Sequence, residues 1–480
     1  MKITILRLEA NAEISFFTSK KSSGVIQSTE ALVELSRKTK QLFYVDESSE
    51  LFYNLVNVLG QEATVSYSGG KIVKIKTKFT EFRDVQAILP VSIEVISELH
   101  NYVSTFRDLY GASLTLSGAA YKQLKQYGYD VKNSKTRFNF DSRFRPYYFG
   151  GRCEYAQTGE VKGDDLVAYD INSAYPAAMM KKHWYGEDCT CSNDEADIVE
   201  QSMIEVTCVS LGALAIRDEE GRITFPKDGR RTYKTTGWEY LTAKKLNLLS
   251  DIKIHLIYSP KHTADFTQFV NHFYLLKKNA KNELEKVFAK LILNSVYGKF
   301  AQDPRKFENT LLLEEGKFAN GWKLSGSLET GDANSVDIWK KKKYTTEQLK
   351  EITFNNVATA CSITGCVRAE LMIARFTCKN FQYCDTDSII CERNSALTVG
   401  NLLGEWKIEA EVKQMFIGGK KLYALESKEG KWKTASKGVR LTAEQIIEVC
   451  AGKEIQYTFD KLAHSIVHGK RKITRNIKMT

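Results

Sequence analysis

The sequence predicts an α/β protein of several domains, and three observations carry that prediction. At 480 residues the chain is too long for one compact core and has room for roughly two to four units. A hydrophobic share of 43% with 11% aromatics marks it as globular, not disordered. Short β-type runs alternate with helical ones along its whole length. The formal net charge of +11 points to an anionic partner, nucleic acid above all. No run reaches the apolar length a bilayer span needs, and Arg7 and Glu9 interrupt any signal-peptide core, so no membrane partner is expected. The ten cysteines are scattered, and Cys189/Cys191 and Cys361/Cys366 lack zinc-ligand spacing, as in a reduced, cytoplasmic protein.

Residues 1–110 alternate strands (Ile3 to Leu8, Glu13 to Phe17, Gln41 to Val45, Thr64 to Tyr67, Lys71 to Lys76) with helices over Ser28 to Lys38 and Ser92 to Tyr102. They form an α/β module without a paired D-x-E set. Residues 111–160 read as a connector in which arginines and rings interleave from Arg137 to Arg152, a pattern suited to single-stranded nucleic acid and equally to a packed interdomain loop. Leu166 to Tyr169 then forms a short apolar strand with Asp170 at its end, where a carboxylate is costly unless paired or metal-bound. Asn172-Ser173 and Tyr175-Pro176 are expected to turn the chain. Residues 188–261 read as a basic insertion with a strand over Met203 to Ser210 and a helix over Gly237 to Leu249. Residues 262–301 hold a helix pair in which Lys278, Lys286 and Lys290 recur close to one face, a solvated surface or a triphosphate contact. Tyr297 could offer its ring to a base, and Gly298 ends the helix.

Residues 302–350 read as a protruding hairpin insertion with the basic tract Lys340 to Lys343. A helix over Val357 to Cys378 leads into Tyr383-Cys384-Asp385-Thr386-Asp387-Ser388, a tight hairpin between apolar flanks. A solvated turn would account for an isolated D-x-D. With Asp170 as a third carboxylate, the pair becomes a site for hard divalent ions such as Mg²⁺ or Mn²⁺. Phe416 to Leu425 is expected as one strand, a further strand and turn hold Ser436 to Val439, and Lys470-Arg471-Lys472 sits in a frayed basic tail or a DNA contact.

The order of these motifs resembles the family B DNA polymerases, specifically their protein-primed branch. Asp170-x-x-Ser173-x-Tyr175-Pro176 looks like motif A, Lys290-x-x-x-Asn294-Ser295-x-Tyr297-Gly298 like motif B, and Tyr383-x-Asp385-Thr386-Asp387-Ser388 like motif C. Lys421-x-Tyr423 matches the family's K-x-Y motif, and Tyr148-Phe149-Gly150-Gly151 its Y-x-G-G motif. The resemblance implies a right-hand polymerase (palm, fingers, thumb) with a reduced exonuclease-like N-terminal domain and two insertions. Its parts would be residues 1–110 (exonuclease-like), 111–160 (connector), 161–187 and 351–424 (palm), 188–261 and 302–350 (insertions), 262–301 (fingers) and 425–480 (thumb).

The same resemblance implies template-directed addition of dNTPs to a primer 3′-hydroxyl, with two metal ions held by Asp170 and Asp387 and assisted by Asp385. Tyr175 would be the steric gate, Lys278, Lys286 and Lys290 the triphosphate contacts, and Asn294 and Tyr297 the contacts to the nascent pair. Tyr148, Gly150 and Gly151 would bind template, Lys421, Tyr423 and Lys437 the primer terminus, and Thr386 and Ser388 the primer–template. A monomer is expected, with primer–template DNA, dNTPs and a terminal protein as partners. Arg7-Leu8-Glu9 stands where the family's exonuclease D-x-E would fall, so proofreading is expected to be absent. The alternatives are a template-independent or specialised priming polymerase and a non-catalytic nucleic-acid-binding scaffold.

Overall fold

The computed structural model describes the chain except residues 1–2, 20, 39, 47–48, 69–70, 91–92, 130–136, 164, 319, 330–334, 351, 353–354, 437, 463–469 and 480. Among the described residues, the apolar central strand Leu166–Ile171 organises one sheet. It pairs antiparallel with Ser388–Glu392 on one side and Trp406–Gly419 on the other. Tyr383–Asp385 and Cys153–Tyr155 extend the first side, Leu422–Ser427 and Trp432–Ser436 the second. Behind the sheet lies the helix Val357–Thr377, capped by the Asn356 side chain on the Thr359 N–H. Small residues along it (Ala358, Ala360, Ala369, Ala374) let neighbouring elements come close on all sides. That helix corrects the expectation that nothing in the chain is apolar and long enough to span a bilayer. Its most apolar window is 89% buried inside the protein, as in a core helix.

A second sheet begins with Ser22–Ile26, Ile14–Ser19, Ile3–Leu8, Gln41–Asp46 and Thr80–Asp84, the last three mutually parallel. Helices Thr29–Lys38 and Ser49–Leu59 cover one face through Leu32, Val33, Leu51, Phe52 and Leu55. The helix Ile96–Tyr110 lies against the other, where Leu99, Val103 and Phe106 join the large central core. It starts and ends later than expected. Arg7 takes the carbonyls of Ile93 and Glu94 just ahead of it, and Phe106 and Tyr110 pack on Phe288 farther along. Helices Ser49–Leu59, Leu116–Lys125 and Arg137–Phe144 were not expected.

The 302–350 segment is not a separate hairpin. Glu308–Glu314, Ser335–Lys342 and Lys323–Glu329 form three antiparallel strands, and Glu308–Glu314 pairs with Thr64–Ser68, so the N-terminal sheet continues into them. The basic tract falls largely on the middle strand, and Ile338 enters the N-terminal core. Residues 183–264 carry a third sheet, in the order His183–Ser192, Leu249–Ala264, Met203–Ser210, Arg230–Thr236.

Other expectations also change. Phe416 to Leu425 is two strands joined at Lys420-Lys421, where Lys421 has φ 59. Tyr175 and Pro176 lie in the helix Ala174–Met179, entered through Ser173 at φ 53. Lys470–Ile477 is a strand paired with Ile455–Leu462, not a frayed tail. The anticipated boundaries at 187/188, 261/262 and 424/425 each fall inside a strand, because long strands run through both parts they were meant to divide.

Candidate active site

Strand register brings the distant carboxylates together. Asp170 stands opposite Ser388 on one side and Lys407 on the other, and the Ile171 N–H donates to the Asp387 carbonyl over 2.8 Å. Asp385 ends its strand, and the turn then places Thr386 at φ 62 and returns the chain at Ser388. Asp387 N–H donates to Asp385 O at 2.7 Å and Ser388 Oγ to the same carbonyl at 3.1 Å. The tight turn brings Asp387 to the mouth of a cleft of about 690 Å³.

That cleft is lined by Asp170, Tyr175, Lys290, Asn294, Tyr297, Asp385, Thr386, Asp387, Ser388, Lys421 and Tyr423, all singled out in the sequence. The helix Glu283–Ser295 supplies Lys290 and Asn294, with its N-terminus capped by the Asn282 side chain. Lys278 and Lys286 do not line the cleft. Lys278 is exposed, and Lys286 is exposed and paired with Glu283 at 3.1 Å. Their place is taken by Lys277, together with Tyr274, Asn401 and Lys407, which sequence reasoning missed. Burial and the neighbouring Lys290, Lys407 and Lys286 hold the Lys277 ammonium below its ordinary pKa. A lysine kept in such company calls for an anion. Tyr148, Gly150 and Gly151 lie outside the cleft lining, with Gly151 packed against Thr386 of the carboxylate turn. Lys437 lies outside the described residues.

The charges are arranged in pairs. Lys421 Nζ donates to both Asp385 oxygens at 2.6 Å, and Lys407 Nζ lies 3.3 Å from Asp170 and 3.5 Å from Glu409. Burial pushes the Asp170 carboxyl up, against the pull of Lys407. Asp387 is pushed up to about 6, by burial first and then by Asp170 and Asp385. Among the described residues no three His, Cys, Asp or Glu side chains stand clustered as a ready metal site. Two of the carboxylates, Asp170 and Asp385, are instead paired with Lys407 and Lys421. The donor set still fits divalent ions, because hard oxygens crowd a buried, mutually repelling position that a cation would relieve. Across the cleft Tyr175 stacks on Tyr297, rings 4.0 Å apart and 7° from parallel.

The profile of DNA polymerase type B, organellar and viral, matches residues 52–396. The DNA-directed DNA polymerase of Enterobacteria phage PRD1 is 31% identical over 415 residues, 78% of this chain and 72% of that one. The chain belongs to the type B DNA polymerases. Within them it falls in the protein-primed branch that its motifs resemble. A probable DNA polymerase of Agaricus bitorquis is 25% identical, over 83% of this polymerase and 57% of its own length. In fold, the polymerase matches phi29 DNA polymerase with primer–template DNA and incoming nucleotide at TM-score 0.74 and 15% identity, over 100% of this chain and 99% of that one. Against phi29 polymerase bound to primer–template alone the TM-score is 0.76 at 14% identity, over 99% of this chain and 100% of that one. The fold is thus the right hand expected from the motifs.

Proposed function

We propose that this polymerase extends a primer 3′-hydroxyl with dNTPs on a template strand, in protein-primed replication of a viral or plasmid-type DNA and without proofreading. One observation carries the reading: Asp170 on its strand and Asp387 in the adjoining turn, more than two hundred positions apart in sequence, line one cleft together with four lysines. Asp170 and Asp387 hold two divalent ions, Mg²⁺ or Mn²⁺, with Asp385 oriented beside them by Lys421. Such ions supply charge neutralisation and alignment of the attacking and leaving oxygens. Lys277 and Lys290 bind the triphosphate from the finger helices. Tyr175 bounds the sugar, Asn294 and Tyr297 meet the new pair, and Lys421 and Tyr423 hold the primer end. The central sheet and its helix serve as palm, residues 267–300 as fingers and the chain beyond Ser436 as thumb. The N-terminal sheet, the third sheet and the tract around Lys340 extend the basic surface toward DNA and a terminal protein.

The absence of proofreading is supported at Arg7. Its Nη2 binds Asp46 Oδ2 and the Ile93 carbonyl, both at 2.6 Å, and its Nη1 binds the Glu94 carbonyl. A guanidinium thus sits at the strand end where an exonuclease carboxylate would be needed, and it repels rather than binds a metal ion.

Primer extension with labelled dNTPs, with and without template, tests the reading. Asp387→Ala is expected to abolish incorporation while primed-DNA affinity stays close to wild type; retained synthesis refutes the metal role. Incorporation independent of template selects the priming alternative. The wild-type protein with Mg²⁺ is expected to leave a 5′-labelled single strand at full length, and progressive shortening overturns the claim on proofreading.

A further inference from the structure

The segment Tyr148–Arg152 runs behind the carboxylate turn, and protein groups claim four of its carbonyls. Arg217 donates to Tyr148 O at 3.0 Å. Arg368 Nη1 donates to Phe149 O at 2.6 Å and to Gly150 O at 2.9 Å. The Arg152 carbonyl accepts the Thr386 N–H at 2.7 Å, one step beyond the ladder that pairs Asp385 with Cys153.

Arg368 and Arg152 are each buried and held by several partners. Arg368, on the central helix, is 1% exposed and forks onto an equally buried Glu239 at 2.8 and 2.7 Å. Thr236 Oγ1 holds that carboxylate at 2.9 Å. Arg152 is also buried. It donates to the carbonyls of Gly212 and Ala213, pairs with Glu154, and lies 4.1 Å from the Phe225 ring centroid.

Thr386 is the residue that needs such support. It is β-branched yet stands at φ 62, where side chains of its kind are disfavoured. Its hydroxyl reaches Asp385 Oδ1 at 3.0 Å, so its position and that of the carboxylate are linked. Gly151 lies directly against it: a Cβ there would stand 2.9 Å from both Thr386 Cβ and Cγ2. The second glycine of the pair is therefore required by the turn's side chain, whatever else approaches that backbone.

We propose that the Tyr148–Arg152 segment is a positioning element of the polymerase site: held by Arg368, it braces Thr386 in its strained conformation and so sets where Asp385 and Asp387 stand. This rests on reading those aspartates as the metal-holding set, which the Asp387→Ala measurement tests separately.

A mutant cycle tests the brace. Gly151→Ala presses a methyl group on Thr386, Thr386→Gly empties the same space, and the double variant restores the room. Each is assayed for incorporation at saturating primer–template, for the Mg²⁺ concentration giving half-maximal rate, and for DNA affinity by anisotropy. Gly151→Ala is expected to lower kcat about tenfold and raise the Mg²⁺ requirement, with primed-DNA affinity changed by less than about twofold. The double variant is expected to recover part of that loss, so that the two effects do not add. Weakened DNA binding with intact kcat at saturating DNA, or strict additivity, overturns the proposal. Should thermal melts show Gly151→Ala unfolded, Thr386→Gly alone decides: a raised Mg²⁺ requirement supports the brace, and a wild-type requirement overturns it. Arg368→Lys keeps a charge beside Glu239 but loses the planar guanidinium whose Nη1 reaches both carbonyls while its other nitrogens fork onto Glu239. It is expected to raise the Mg²⁺ requirement likewise, and an unchanged one removes Arg368 from the brace.

Discussion

Lys277 and Lys278 differ by one helical step, about 100° of rotation, and that step separates a cleft-lining lysine from an exposed one. Both end the helix Thr267–Lys278, so only the way it packs, through Phe269, Val270 and Phe273, tells them apart. Lys277→Ala is expected to raise the KM for dNTP about tenfold, about 1.4 kcal/mol, while Lys278→Ala leaves it near wild type. Steady-state kinetics on a fixed primer–template compare them; equal losses would contradict the assignment. The carboxylates were easier to find. A short acidic turn between apolar strands and an aspartate ending another are local patterns, and backbone pairing then brings them together. The lysines on Asp170 and Asp385 were harder. The K-x-Y resemblance points to Lys421 as a primer contact, and Lys407 carries no signal until strand register sets it opposite Asp170.

Among the elements, the helix Ala174–Met179 shows how the carboxylate strand is held from behind. Trp238 Nε1–H donates to Ser362 Oγ at 3.0 Å, which leaves the Ser362 hydroxyl to donate to His183 Nδ1 at 2.9 Å. His183 Nε2–H then donates to the Ala178 carbonyl at 2.7 Å. The chain of bonds ties that short helix to the central helix. It requires a neutral imidazole, and burial lowers the His183 pKa from 6.5 to about 4. The folded value lies below the unfolded one, so the native state lacks a proton that the unfolded chain binds. Stability is therefore whole above pH 6.5 and falls as pH drops toward 4. The loss amounts to about 3 kcal/mol at 1.36 kcal/mol per pKa unit. Denaturant melts between pH 7 and 4, set beside His183→Gln, measure it; the variant is expected to show a flatter slope, and equal slopes would rule His183 out as the source.

For the molecule as a whole, the N-terminal sheet has a mechanical role besides any contact with DNA. It continues through Thr64–Ser68 into the strands of 302–350, and Ile338 from that segment lies 1% exposed in the N-terminal core. Ile338→Asp is expected to cost a few kcal/mol, about 2–4, and to release 302–350 from the sheet before the rest unfolds. Limited proteolysis reads this as early cleavage between 302 and 350 with the remaining chain intact; cleavage no faster than wild type would contradict it.

Alternation of strands and helices, the acidic turn and the aspartate at a strand end were all readable from the chain, because each is set by neighbours within a few residues. The sheet joining residues 64–68 to 308–314, the choice of Lys277 over Lys278, the burial of a helix apolar enough for a membrane and the seating of Gly151 against Thr386 were not. Each depends on which surfaces meet after folding, and contacts between distant segments leave no periodic trace in either one alone.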